Sequence, residues 1–156
     1  MSQLKLYNTL SKKVEQFTPQ YKKKVLIYTC GPTVYNSLHI GNWLAYIRWD
    51  ILVRTLLING FEMIRVMNIT DVGHLEGDGD SGEDKLEAGA KRENSNAWQI
   101  AERYTNEFLD GMEQLCLLPP TKYAKATDYI NEQVELIQKL ESKGVIYKIS
   151  DGIYFD

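Results

Sequence analysis

Residues 25–42 read "VLIYTCGPTVYNSLHIGN". Val25–Tyr28 is a β-branched and aromatic run of buried-strand type. Gly31-Pro32 then breaks it, and "WLAYIRWDILVRTLLING" (43–60) follows. Trp43, Ile47 and Ile51 recur at helical spacing, with Leu44, Leu52 and Leu56 alongside, which predicts a helix over 41–58 closed by Asn59-Gly60. The stretch is therefore a strand-to-helix crossing, and in α/β proteins ligands sit at that carboxyl end of the strand.

The rest of the chain builds outward from this crossing. "LKLYNTLSKKVEQFTP" (4–19) reads as a hairpin turning at Ser11-Lys12 and ending at Pro19. "FEMIRVMNIT" (61–70) is a second strand, with Met63, Arg65 and Met67 on one face and Ile64, Val66 and Asn68 on the other. Two strands with a helix between them make a βαβ unit. Residues 71–95 form a Gly- and acid-rich loop, followed by a helix in "NAWQIAERYTNEFLDGMEQL" (96–115) with Ala97, Ile100, Tyr104, Phe108 and Met112 on one stripe. Pro119-Pro120 break it. "TDYINEQVELIQKLESKG" (127–144) predicts another helix, N-capped by Thr127 or Asp128 and stopped at Gly144. "VIYKISDGIYFD" (145–156) is a hairpin turning at Asp151-Gly152. The expected class is α/β, a parallel βαβ core with an N-terminal hairpin, two further helices and a terminal hairpin. Such a sheet leaves strand edges uncovered, the pattern of the front part of a larger fold.

Bulk properties narrow the function. A chain of 156 residues is one domain with room for a core, and it contains neither a membrane-length apolar run nor a signal-peptide stretch. Two cysteines, Cys30 and Cys116, do not make a disulfide framework, so a reducing cytoplasm is the expected location. A net charge of −3 argues against gripping nucleic acid by bulk electrostatics. The acid excess is confined to residues 71–95, with eight acids against three bases; the remainder holds 13 against 15, so an RNA partner is neither supported nor excluded.

Taken singly, the chemical residues are ambiguous. Cys30 at a strand end is a soft metal ligand, a nucleophile, or a small buried hydrophobe. His39 precedes a helix N-terminus, where anions bind, or is a surface-turn histidine. Gly41 admits a planar ring or merely starts a helix. No Walker A or G-x-G-x-x-G competes for a nucleotide. "GDGDSGED" (77–84, with its alternating Asp78 and Asp80) lacks the spacing of a calcium loop and reads as a solvated loop. Trp98, Tyr104 and Phe108, like Trp43 and Trp49, read as core rather than base-stacking residues.

The combination is specific. "YTCGPTVYNSLHIGN" with "VMNITDVGH" (66–74) resembles the cysteinyl-tRNA synthetases, class I aminoacyl-tRNA synthetases whose signature is His-Ile-Gly-His. The likeness runs over essentially the whole chain, through "LKLYNTLSKK", "GEDKLEAGAKRE", "ATDYINEQVELIQKLESKG" and "DGIYFD". It implies a Rossmann-like nucleotide-binding fold, incomplete here, with residues 1–156 as the N-terminal part of the catalytic domain running into the connective peptide. The implied activity is ATP-dependent formation of cysteinyl-adenylate and transfer of cysteine to tRNA(Cys). Cys30 is then a zinc ligand, the zinc holding the substrate thiolate. Gly31, Thr33 and Thr70 line the cysteine pocket, and His39, Gly41 and Asn42 bind ATP, with His39 and Asn42 catalytic and Mg(2+) accompanying the nucleotide. Zinc's preference for sulfur over oxygen explains discrimination against serine.

Two departures accompany the likeness. Asn42 stands where the signature has its second histidine; an amide donates to a phosphate but carries no charge. His74 does not match a zinc ligand, and the remaining ligands, the Lys-Met-Ser-Lys-Ser-like loop and the anticodon-binding helices correspond to nothing in the chain, so the polypeptide alone is expected to be inactive and metal-poor. Other readings are a cysteine ligase acting on an amino-sugar acceptor, which shares the opening motif, and a non-catalytic nucleotide-binding module.

Overall fold

The structure is a computed structural model that describes residues 4–73, 86, 90–91, 94–150 and 152–156. The expected loop acids 76–85 and His74 lie outside the described residues.

Strands β1 (Lys5–Asn8) and β2 (Lys13–Gln16) pair antiparallel as the N-terminal hairpin. Its turn carries Lys12 at φ 56, near the predicted Ser11-Lys12 reversal. The central sheet is parallel, in the order β3 (Lys24–Thr29), β4 (Glu62–Ile69), β5 (Lys122–Lys125). Helix α1 (Ile40–Ile58) connects the first two strands, and α2 (Ala97–Gln114) lies between the second and third. The last strand is absent from the sequence reading. "KYAK" has four residues, two of them lysine, and no alternation long enough to register as a strand.

Both helices cover the same face of the sheet. Met67 and Ile69 point into it, against Tyr46 of α1 and Phe108 and Met112 of α2 in one cluster, and Val34, Ile100, Ala101 and Tyr104 in another. Rings dominate the first cluster: Trp43 stacks on Phe108 at 6.0 Å, and Tyr46 meets Phe108 edge-on at 5.3 Å. On the other side of β3, Leu26 and Tyr28 are exposed while Val25 and Thr29 are buried, so only one face of the strand is covered by described residues.

Three expectations change. The buried positions of α1 are Tyr46, Asp50, Val53 and Leu56, whereas Leu44 and Ile51 are exposed. This helix is apolar almost all round, so its spacing could not select a face. Trp98 is 70% exposed and outside the core, while Tyr104 and Phe108 are buried. The helix expected from Thr127 begins instead with a 3-10 turn, Ala126–Tyr129, and α3 spans Ile130–Ser142. Thr127 does not cap it; its N–H and hydroxyl donate to the Asp71 carboxylate at 3.0 and 2.7 Å, tying the end of β5 to the end of β4. No residue of α3 is buried. Strands β6 (Ile146–Ile149) and β7 (Gly152–Phe155) form the C-terminal hairpin, with Gly152 already paired to Ile149.

A buried polar latch sets the connection between α2 and β5. Asp50 Oδ1 accepts from Leu118 N at 2.8 Å, and its Oδ2 accepts from Arg54 Nε at 2.5 Å. Arg54 Nη2 also donates to Cys116 O. Buried Arg65, projecting from β4, donates to Leu118 O at 2.6 Å. The 116–118 turn thus has its backbone groups met by three charged side chains. Removing a buried acceptor leaves its donors desolvated and unpaired. Asp50→Ala is expected to lower unfolding stability by about 3 kcal/mol, read by urea denaturation, whereas surface Leu44→Ala should change it by under about 1 kcal/mol.

Candidate active site

The site grows from a fault in the β3–β4 ladder. Parallel register runs from Lys24 opposite Glu62 to Thr29 opposite Met67, then resumes with Thr33 opposite Thr70. Three residues, Cys30 to Pro32, therefore face two, Asn68 and Ile69: a one-residue bulge. Bulges bend a strand and re-aim its side chains. Beyond it, Thr70 N donates to Pro32 O at 2.9 Å and Val34 N to Thr70 O at 3.1 Å. Inside it, the Gly31 amide is served by a side chain, Asn68 Oδ1, at 2.8 Å. Gly31 lies so close to β4 that a Cβ there would stand 1.8 Å from the Asn68 carbonyl oxygen, which no side chain tolerates.

Cys30 is consequently exposed at the strand end, as a free thiol. Burial first, then Cys30, pushes the Tyr46 hydroxyl up to about 12, and the same two causes raise Tyr28. Both rings therefore keep their protons at neutral pH and remain donors. Among the described residues no group of three His, Cys, Asp or Glu side chains is placed to hold a metal ion.

The turn then leads to the N-terminus of α1, which His39 caps. Its Nδ1 accepts from Gly41 N at 3.0 Å, while Asn42 Oδ1 accepts from His39 N at 3.2 Å. This reciprocal pair is a capping box built from histidine and asparagine. An accepting Nδ1 assigns the ring's proton to Nε2, and Asn42, with its oxygen committed inward, keeps its NH₂ for donation. Gly41 allows the fold-back, since a Cβ there would sit 2.8 Å from His39 Cε1. Asn42 in place of a histidine thus has a local function: it closes the cap.

A polar cavity of about 300 Å³ lies inside the turn, walled by Gly31, Thr33, His39, Asn42 and Tyr46. Cys30 and Thr70 stand beside it at the same sheet end, and Gly41 lies behind His39; none of the three is in its wall. A larger groove of about 1030 Å³ separates α1 from α2, lined by Ile40, Trp43, Leu44 and Ile47 opposite Arg103 and Asp110. No strand-end residue reaches it, so size alone does not mark the site. Asn68 is the site residue that sequence reading passed over. Its only signal in the sequence was an amide next to the last position of the strand, two residues before Thr70.

The family model for the class I (C) tRNA synthetase catalytic domain matches residues 16–156. "Cysteine--tRNA ligase 1" of Burkholderia lata is 48% identical over 98% of this chain and 33% of its own length. The cysteine--tRNA ligase of Treponema denticola is 46% identical over 98% of this chain and 31% of its own, and that of Bacteroides fragilis 42% over 99% and 31%. The chain spans about a third of the length of the curated relatives it matches. In fold it is similar to the LeuRS in a ternary LeuRS–tRNA–LeuAMS complex from Agrobacterium radiobacter K84, with a TM-score of 0.64 at 22% identity over 83% of this chain and 15% of that one. With a family model matching residues 16–156 and relatives 42–48% identical over nearly its whole length, this chain, a parallel sheet whose first strand ends in a bulged cysteine and leads into a His39-capped helix, belongs to the class I (C) tRNA synthetase catalytic-domain family.

Proposed function

We propose that this chain is the N-terminal part of the catalytic domain of a longer cysteine–tRNA ligase. The ligase joins cysteine to ATP, releasing pyrophosphate, and passes the cysteinyl group to the 3′ end of tRNA(Cys) in the cytoplasm. The observation carrying this is the juxtaposition at one sheet end of the Cys30–Gly31 bulge with the His39–Asn42 cap. The relatives' length, about three times that of this chain, supports a longer protein.

In this reading cysteine lies across the strand ends, among Cys30, Gly31, Thr33 and Thr70. ATP lies over the start of α1, its adenine against Gly41. The His39 Nε2–H, the Asn42 amide and the helix N-terminus donate to the triphosphate, and Mg(2+) arriving with ATP supplies charge neutralisation. The cysteine carboxylate attacks the α-phosphorus, and the donors stabilise the charge that develops on the departing pyrophosphate. No side chain becomes covalently linked. Cys30 is one soft ligand for zinc, but the described residues supply no further ligands around it, so they do not hold zinc by themselves.

Cysteine-dependent pyrophosphate exchange by the protein of the complete reading frame tests the function. Activity of that protein with leucine instead of cysteine, or a complete reading frame of only 156 codons, would overturn it. Cys30→Ser is expected to lower exchange at least about tenfold with little change in melting temperature, because the side chain is exposed and near-isosteric. Gly41→Ala should displace the capping imidazole. It is expected to cost about 1 kcal/mol of stability and to raise KM for ATP more than KM for cysteine. The 156-residue polypeptide alone is expected to bind zinc substoichiometrically in a metal assay and to show no exchange.

A further inference from the structure

Asn68 makes two hydrogen bonds whose polarity is forced. Gly31 N has only a proton to offer, so the atom facing it, 2.8 Å away, is Oδ1. The other end of the same amide is therefore Nδ2, and it donates to Thr70 Oγ1 at 3.1 Å. A flipped amide would set N–H against N–H. With Thr70 Oγ1 accepting from Asn68, the proton of the Thr70 hydroxyl is left for another acceptor.

We propose that Asn68 is a positioning residue that holds the Cys30–Gly31 bulge against β4 and turns the Thr70 hydroxyl into a hydrogen-bond donor toward the bound amino acid's carboxylate. Three observations converge on it. The bulge removes Gly31 N from the backbone ladder, and Asn68 is what replaces the missing carbonyl. Gly31 rests against the Asn68 backbone, where a Cβ would stand 1.8 Å from the Asn68 carbonyl oxygen. The amide lies on the opposite side of β4 from buried Met67 and Ile69, away from the two clusters those residues pack in, and it is part-buried rather than solvated. A residue with a purely structural role in that core would project from the other side. The proposal rests on the cysteine reading above, since it assigns the orientation of that substrate.

Asn68→Asp separates the two bonds. The carboxylate still accepts from Gly31 N but cannot donate, so it draws the Thr70 proton inward. In the protein of the complete reading frame, KM for cysteine is expected to rise about tenfold, with kcat and KM for ATP within about twofold of the parent. The ATP arm controls for the added charge, which would repel the triphosphate at least as strongly. Thr70→Val deletes the hydroxyl while leaving the Gly31 bond, and it should show the same cysteine-specific rise even if Asn68→Asp folds poorly. In the double variant the two effects should not add, because both act through one proton. Unchanged KM for cysteine in Thr70→Val, or cysteine and ATP constants rising in parallel in Asn68→Asp, overturns the role of Asn68 and leaves the substrate reading standing. A parent protein without cysteine-dependent exchange overturns that reading, and this orientation with it.

Discussion

The architecture of the site depends on the parallel pairing of β3 with β4 failing by one residue at Cys30–Pro32. A regular ladder would carry the strand straight through and alternate Cys30 and Gly31 between the two faces. The extra residue bends the chain at the sheet end and leaves Cys30 exposed. The orphaned Gly31 amide would be costly in a part-buried position, and one side chain from the neighbouring strand removes that cost. Everything downstream, from the Pro32 carbonyl that meets Thr70 to the polar turn and the cap of α1, is placed by this local shift.

Such a bulge persists only against a rigid support. Below it lies the ring cluster of Trp43, Tyr46 and Phe108, and beyond that the Asp50–Arg54–Arg65 latch, which closes the turn feeding the third strand. The latch is expensive in desolvation, and burial lowers the Arg65 pKa accordingly. Its compensation is geometric: both backbone polar groups of Leu118 are met by charged side chains, which locks the register of β5 against β4. Asp71 repeats the device at the site end, holding Thr127. The second and third parallel strands are thus tied at both ends by side-chain bonds, while the first is tied to the second by a side chain at the site end, through Asn68.

Asn42 illustrates how a departure from a signature acquires a physical account. Unlike a histidine, its amide cannot carry charge. As the third residue of a helix capped by His39, it accepts from the His39 amide and completes the box.

The identity of most elements was legible from the sequence because it is set locally. The strand at Val25–Thr29, both long helices, the N-terminal hairpin turn and the family resemblance all follow from residue type and short-range spacing. So did the gathering of Cys30, Thr33 and Thr70 at one sheet end, since a βαβ unit places its strand ends together. Tertiary structure alone decided what depends on distant neighbours. Which face of α1 is buried was undetermined, because that helix is apolar nearly all round and its inward stripe includes Asp50, a residue buried only because Leu118 N and Arg54 meet it. The strand at Lys122–Lys125 exists because β4 offers it a ladder, not because four residues with two lysines prefer extended backbone. The Asn68 contacts with Gly31 and Thr70 came from the bulge, and a bulge is a mismatch between two strands some forty residues apart, a relation that neither strand's sequence contains by itself.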